Sequence, residues 1–275
     1  MRFRARRLVL WITIILLLLY VGGPLGYLVT SSLITDKEIM LLGDKLQPPS
    51  GIYWGNIQKA LSSEWFTLGL FNSVVISLFS AMLCVLAGSV AGYAFARVRF
   101  PRKREWFAVL LVTQTLPGMA MIIPIFLFFR GLGLFDTQLA VVLAEVGFII
   151  PYAVWLLFSF FRLVPPDIEE AALVDGCGRL EAFVRVILPV AKPGLMAVAV
   201  YAFMLSWGDL LFPLVLTTTR AKTISVVISE GVGQQMVLYG YMSAQALLSL
   251  LPPVILAIVF GRYLITGLTA GAVKG

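Results

Sequence analysis

Two carboxylates stand inside long apolar stretches of the sequence, Glu145 and Asp209. A carboxylate among apolar residues is costly unless it is paired or lines a polar space. The pair therefore predicts either a polar pathway or hydrogen bonds between helices, and the sequence leaves both open. The chain has no histidine and only two cysteines, so the commonest general base and metal ligand is missing. The sequence predicts neither a catalytic cluster nor a metal site.

A polar stretch between two apolar runs, residues 163–192, has the pattern of two short helices joined by a turn. Prolines suit the helix start, carboxylates suit the first turn, and glycines suit the end. These signals are Pro165 and Pro166, then Asp167, Glu169 and Glu170, then Gly176 and Gly178. A second helix, about Arg179–Ile187, is expected to run to Pro189. The same composition would also fit a solvated loop with ordinary helix caps.

The composition excludes a soluble domain. Hydrophobic residues make up 60% and charged residues 13%, and the mean hydropathy is +0.97. An ordinary soluble domain carries about 25% charged residues, so this chain lacks the polar surface to coat a globule of its size. The sequence therefore indicates an integral membrane protein.

Six stretches are long and apolar enough to cross a bilayer, which needs about 20 residues per helix. They are approximately 8–29, 71–95, 106–129, 138–161, 195–216 and 241–265. Because lipid offers no partner to backbone polar groups, the spans must be helices. We therefore expect an all-α membrane protein in which residues 1–275 form a single transmembrane domain.

The basic residues predict the orientation. Fifteen Lys and Arg flank the spans on one side and six on the other, and the richer side faces the cytoplasm. Both termini and the 163–192 loop are then cytoplasmic, as an even number of spans requires. The net charge of +7 is thus a topology signal, and no nucleic acid is expected.

The loop also matches a specific motif. Glu170-Ala171-Ala172, then Gly176, then Val186-Ile-Leu-Pro189 resembles the EAA loop of binding-protein-dependent ABC importer permeases. Four further segments resemble the carbohydrate-uptake branch and its maltose-permease-like second subunit: Asn72-Ser73, Arg130–Thr137, Trp207-Gly208-Asp209 and the ending Gly267–Gly275. The family usually has isoleucine at Val186, often alanine at Cys177, and asparagine at Gly208.

The resemblance implies a type I ABC importer permease fold. It also implies that the loop docks on a cytoplasmic ATPase, whose closure on ATP would rock the permease between inward-open and outward-open states. The coupling residues would be Glu169, Glu170, Ala171, Ala172, Asp175 and Gly176, with Leu188 and Pro189 tying the loop to the fifth span. The tail is expected to touch the ATPase as well.

The implied function is that of a permease subunit in the cytoplasmic membrane of a bacterium or archaeon. The chain has no phosphate-binding G-x-x-x-x-G-K-[ST] motif, so ATP and magnesium would be bound by separate subunits. The implied partners are a homologous second permease, two ATPase copies and an external solute-binding protein. Disaccharides, oligosaccharides and glycerol-phosphate compounds are all compatible cargoes.

Candidate pathway residues are those that could meet a hydroxyl-rich solute inside the spans. They are Asn72, Gln114, Glu145, Trp207 and Asp209. Glu145 and Asp209 are predicted at similar depth, where they could instead contact the sister subunit. The alternative function is an ion-gradient-driven secondary transporter or channel, in which these carboxylates would bind a proton or cation.

Overall fold

The computed structural model describes residues 2–42, 51–232 and 237–270. Within them, side chains are described for 10–40, 51–232 and 237–261. Every regular element in these ranges is helical, which confirms the all-α prediction. The predicted tail lies partly outside the described residues, since the last helix ends at Ala270.

Fifteen α-helices follow one another along the described chain. They are α1 (Arg2–Ser32), α2 (Asp36–Leu42), α3 (Gly55–Ser62), α4 (Glu64–Arg97), α5 (Lys103–Val112), α6 (Gly118–Gly131), α7 (Gln138–Leu163), α8 (Pro166–Val174), α9 (Arg179–Ala182), α10 (Leu188–Val190), α11 (Lys192–Gly208), α12 (Leu211–Leu216), α13 (Ile224–Val232), α14 (Tyr239–Ser249) and α15 (Leu251–Ala270). A π-helical turn, Phe183–Ile187, joins α9 to α10.

Four of the described helical segments are long and apolar enough to cross a membrane, or up to six spans if two bent pairs each count as one. The four are Leu10–Ser32, Glu64–Arg97, Gln138–Leu163 and Tyr239–Gly261. The bent pairs are Lys103–Thr115 with Gly118–Gly131, and Arg179–Val190 with Lys192–Gly208.

The third predicted span is not one straight helix. Its two halves, α5 and α6, meet at 97°. Proline disfavours helical backbone in the residue before it, and Leu116 accordingly has an extended ψ of 125° ahead of Pro117. The sequence prediction passed over this proline, which ends the first half and begins the second.

The fifth predicted span, 195–216, is also interrupted. Helix α11 ends at Gly208, and Asp209 is extended, with a ψ of 132°. The helical backbone resumes in α12. A second bend, of 76°, separates α10 from α11, so the loop after α7 is continuous with this span through a sharp corner.

The chain divides into two compact units. The first comprises residues 1–68 and 227–251. In it, α14 packs against α1, α2 and α3. Asn56, at the start of α3, donates hydrogen bonds to the carbonyl oxygens of Ser32 (3.2 Å) and Ile34 (2.7 Å). These bonds fix α3 against the end of α1.

The second unit comprises residues 69–226 and 252–275. Helices α4 and α7 approach closely where α4 has glycines. A β-carbon at Gly88 would lie 3.1 Å from that of Ala153, and one at Gly92 would lie 2.9 Å from the backbone nitrogen of Phe158. Glycines four residues apart let two helices in lipid pack backbone to backbone. The close approach therefore fixes the spacing of α4 and α7 in the second unit.

Candidate functional site

Helix α8 begins and ends where the sequence predicted. It starts at Pro166 and stops after Val174, where Gly176 has a φ of +91°. The N–H of Gly176 bonds the carbonyl of Leu173 (3.2 Å), and the N–H of Cys177 bonds that of Ala172 (3.1 Å). This pair of bonds is the Schellman termination, for which glycine is the favoured residue.

The two faces of α8 differ. Glu169 and Ala172, three residues apart, are buried. Glu170 and Ala171 on the outer side are exposed, as are Asp175 and Gly176 directly after the helix. Val174 is 87% exposed on this outer side. The outer face therefore offers small side chains, carboxylates and one apolar tip to a partner surface.

Two side chains of α4, Tyr93 and Arg97, hold the inner face of α8. The hydroxyl of Tyr93 donates to Glu169 Oε1 at 2.5 Å. Arg97 Nε lies 3.5 Å from Glu169 Oε2, and Arg97 Nη2 donates to the carbonyls of Phe161 (3.1 Å) and Val164. Sequence reasoning used Arg97 only as a topology charge and missed Tyr93. Tyr93 and Arg97 are four residues apart, which places them on one face of α4. This spacing was the sequence signal that could have identified them as a pair.

The second half of the loop packs inward through one side of its helical turns. Ala182, Phe183 and Ile187 are buried, and Leu180 is 76% exposed. Leu188 and Pro189 form the short α10 immediately before the corner into α11. This position agrees with their predicted place at the junction with the fifth span.

Glu145 and Asp209 line one cavity of about 330 Å³, together with Tyr152, Tyr201, Phe148 and Phe212, among others. The structure therefore brings the two carboxylates that the sequence singled out into one space. Glu145 is 2% exposed. Its Oε2 accepts hydrogen bonds from Ser80 (3.0 Å) and Ser206, and its Oε1 has no hydrogen-bond partner among the described residues.

The side chain of Asp209 also caps the start of α12. Its carboxylate accepts from the N–H groups of Leu211 (3.0 Å) and Phe212 (3.2 Å), the first two of α12 beyond the break. Free N–H groups at a helix start need such an acceptor. The side chain thus has a structural role beside its place in the cavity.

The remaining pathway candidates lie elsewhere. Gln114 lines a second cavity of about 360 Å³ and donates to the carbonyl of Phe148 at 3.1 Å. Asn72 is buried and donates to the carbonyls of Arg220 and Lys222, both at 2.9 Å. Trp207 is buried and stacks on Phe203 with ring centroids 5.6 Å apart. The structure brings neither Asn72 nor Trp207 into the lining of these two cavities.

The sequence patterns did not predict that Asp136 anchors the loop after α12. Asp136, at a φ of +58°, accepts from the backbone N–H groups of Thr218 (2.9 Å), Thr219 (3.1 Å) and Arg220 (3.1 Å). Burial opposes ionisation, but these bonds and the Thr219 hydroxyl outweigh it and hold the pKa of Asp136 well below its usual range. Together with the Asn72 bonds to two carbonyls of the same loop, this carboxylate fixes the loop after α12.

Comparison with known proteins agrees with this architecture. The family model described as "Binding-protein-dependent transport system inner membrane component" matches residues 84–269. The chain is 34% identical to the trehalose transport system permease protein SugB of Mycobacterium tuberculosis, over 98% of this chain and 99% of that protein. It is 30% identical to the diacetylchitobiose uptake system permease protein NgcG of Streptomyces coelicolor, over 97% and 87%. A chain of a bacterial ABC transporter that imports alginate has the same fold, with a TM-score of 0.79, 20% identity and coverage of 94% and 96%.

Proposed function

Because this chain belongs to the family of binding-protein-dependent transport system inner membrane components, we propose that it forms half of the membrane pathway of a sugar importer. The chain is a permease subunit of an ABC importer, and the ATPase of such a transporter is a separate subunit. The carbohydrate cargo is supported by relatives named for trehalose and diacetylchitobiose, each aligned over at least 97% of this chain.

The outer face of α8 is the observation that carries the coupling part of the proposal. Its exposed carboxylates and small side chains, Glu170, Ala171 and Asp175, would fit a groove on the ATPase. Gly176 has a positive φ and so ends α8 after Val174. The exposed end of this short helix would then be the part that enters the groove. Leu188 and Pro189 would carry the movement into α11.

The cavity shared by Glu145 and Asp209 supports a pathway through the second unit. Its lining combines two carboxylates with two tyrosines, Tyr152 and Tyr201. Carboxylate and phenol oxygens can bond sugar hydroxyls, and aromatic rings supply apolar contact for a sugar face. Gln114, in the neighbouring cavity, would add a further hydrogen-bonding group.

The working assembly would hold a homologous second permease, two ATPase copies and an external solute-binding protein. ATP and magnesium would be bound by the ATPase copies alone. The chain would lie in a bacterial or archaeal cytoplasmic membrane, with both termini and α8 on the cytoplasmic side, as the excess of basic residues favours. A homologous pairing would also cover the apolar surfaces that the isolated chain exposes.

Co-purification and reconstitution test the proposal. A tagged chain isolated from its host should bring down an ATPase subunit and a second permease. Vesicles holding the whole assembly should take up sugar with the cognate binding protein and ATP, and lose uptake when the phosphate-binding lysine of the ATPase is substituted.

The ion-gradient alternative predicts the opposite dependence. The feature that favours it is Oε1 of buried Glu145, which has no hydrogen-bond partner among the residues that the structure describes. Uptake that survives ATP depletion but collapses with the proton gradient would overturn the ATP-driven function. A thermal-shift screen of the binding protein against neutral and acidic sugars would identify the cargo.

A further inference from the structure

Glu169 and Glu170 are adjacent in α8, but their side chains face opposite ways. Glu170 is exposed, whereas Glu169 is 8% exposed. A buried carboxylate is tolerated only where charged or hydrogen-bonding partners compensate its lost hydration. Glu169 has them in Tyr93 and Arg97. We name these three side chains the Glu169 junction.

The junction joins three helices at one point. Arg97 is the last residue of α4, and its guanidinium bonds the carbonyls of Phe161 and Val164 at the end of α7. Carbonyls in the last turn of a helix have no partner within it, so Arg97 completes that helix end while also pairing with Glu169. Only Val164 and Pro165 separate α7 from α8.

The ring of Tyr93 connects the junction to the second half of the loop. It lies edge-on to Phe161 with centroids 5.9 Å apart, and its centroid is 4.5 Å from that of Phe183. Phe183 begins the π-helical turn that leads to α10. Both halves of the loop therefore meet on one residue of α4.

The helices behind the junction are closely packed. Gly92 precedes Tyr93 directly, and a β-carbon there would lie 2.9 Å from the α7 backbone. Close-packed interiors transmit displacement rather than absorbing it. A force on α8 would thus be delivered through Glu169 to α4 and α7 together.

We propose that Glu169 is a positioning residue that transmits the movement of α8 to the α4–α7 pair, with Tyr93 and Arg97 as its two attachment points. The residue would act through the chain's own helices, and its side chain would make no contact with the ATPase. This inference rests on the proposed importer function, since it presupposes a motor that moves α8.

The experiment compares Glu169→Gln with Asp167→Asn in the complete importer, reconstituted with its ATPase and binding protein. Both variants neutralise one carboxylate of α8, but Asp167 is exposed in the first turn. The measurement is sugar molecules taken up per ATP hydrolysed, at equal amounts of assembled complex. Glu169→Gln should lower this ratio at least about fivefold, the lower end of ordinary coupling effects, while the ATPase stays attached and continues to hydrolyse ATP. Asp167→Asn should keep the wild-type ratio.

An equal ratio in Glu169→Gln and wild type would overturn the inference, as would loss of ATPase attachment in that variant. If the Glu169→Gln chain does not fold and cannot be recovered from the membrane at all, Tyr93→Phe decides, because it removes the hydroxyl and keeps the ring against Phe183. A lowered ratio in Tyr93→Phe supports the junction, and an unchanged ratio overturns it. If the wild-type assembly shows no ATP-dependent uptake, the proposed function itself fails, which separates the two outcomes.

Discussion

Gly92 of α4 lies so close to α7 that a β-carbon there would be 2.9 Å from the backbone nitrogen of Phe158. The obstacle is backbone rather than a movable side-chain end, so relief requires the two helices to separate. Gly88, one turn earlier, makes a similar but looser approach, 3.1 Å to the β-carbon of Ala153. The two glycines set the spacing of α4 and α7 directly beside the Glu169 junction, since Tyr93 follows Gly92 in the chain.

Replacing Gly92 by alanine should therefore destabilise the protein, by about 1–3 kcal/mol for an overpacked contact. The measurement is thermal unfolding of the purified chain in detergent. Gly147→Ala in α7 is the matched control, because no atom of the described residues lies within 4 Å of its added β-carbon. Alanine is otherwise the better helix former by up to about 1 kcal/mol, so the control should be neutral or slightly stabilised. Equal melting temperatures for Gly92→Ala and wild type would contradict the packing argument.

Gly176 and Gly178 provide a second matched pair within the same turn. In the part of the chain that the structure describes, neither has an atom within 4 Å of an added β-carbon, but Gly176 has a φ of +91° and Gly178 a φ of −70°. The left-handed conformation costs other residues about 1–2 kcal/mol. Gly176→Ala should therefore weaken ATPase co-purification and sugar uptake, while Gly178→Ala should leave both near wild type.

That comparison separates backbone conformation from side-chain bulk. If both alanines impair uptake equally, bulk at the docking face is responsible and the termination of α8 is not. If neither does, the outer face tolerates a lengthened helix, and the docking argument loses its support.

Local signals made the bounds of α8 predictable. Pro166 and Gly176 each determine the backbone conformation of only the neighbouring turn. Helix α8 begins at Pro166 and ends two residues before Gly176. Pro117 is an equally local signal for a helix break. The length and hydropathy of the third apolar run nevertheless favoured one continuous span. The chemistry of such residues is visible in a sequence because it needs no distant partner.

The long-range contacts could not be read in this way. Tyr93 meets Glu169 from 76 residues away, and Asn72 meets the Arg220 carbonyl from 148 residues away. Nothing in the local sequence distinguishes Asn72 in a structural clamp from Asn72 in a pathway. Glu145 and Asp209 line one cavity, and a sequence could suggest their proximity because the rise per residue of a helix converts sequence position into distance along the span.

Asp136 gives a prediction for pH. Its pKa is lowered in the folded protein by the N–H groups of the 218–221 loop, so its contribution to stability is complete above the ordinary aspartate pKa of about 3.9. The contribution declines as the pH falls below that value. Backbone hydrogen-exchange protection of residues 218–221 should be constant between neutral pH and about pH 5 and then decrease.

Asp136→Asn is the control for this dependence. Asparagine tolerates the positive φ but lacks the charge, and hydrogen bonds to charged groups are worth about 1.5–3 kcal/mol, less at a partly exposed site. Protection of the loop should be reduced at neutral pH and should no longer depend on acid. An unaltered acid response in this variant would assign the titration to another group.

The two roles of Asp209 can be separated by comparing asparagine with alanine at that position. Its carboxylate caps the N–H groups of Leu211 and Phe212 and also lines the cavity with Glu145. Asparagine is an equally good cap, whereas alanine costs about 1 kcal/mol. We expect Asp209→Asn to keep the melting temperature while lowering the rate of sugar uptake, and Asp209→Ala to lower both. Full uptake by Asp209→Asn would mean that the side chain serves only to cap the start of α12. The pathway would then have to be sought around Glu145 and Gln114.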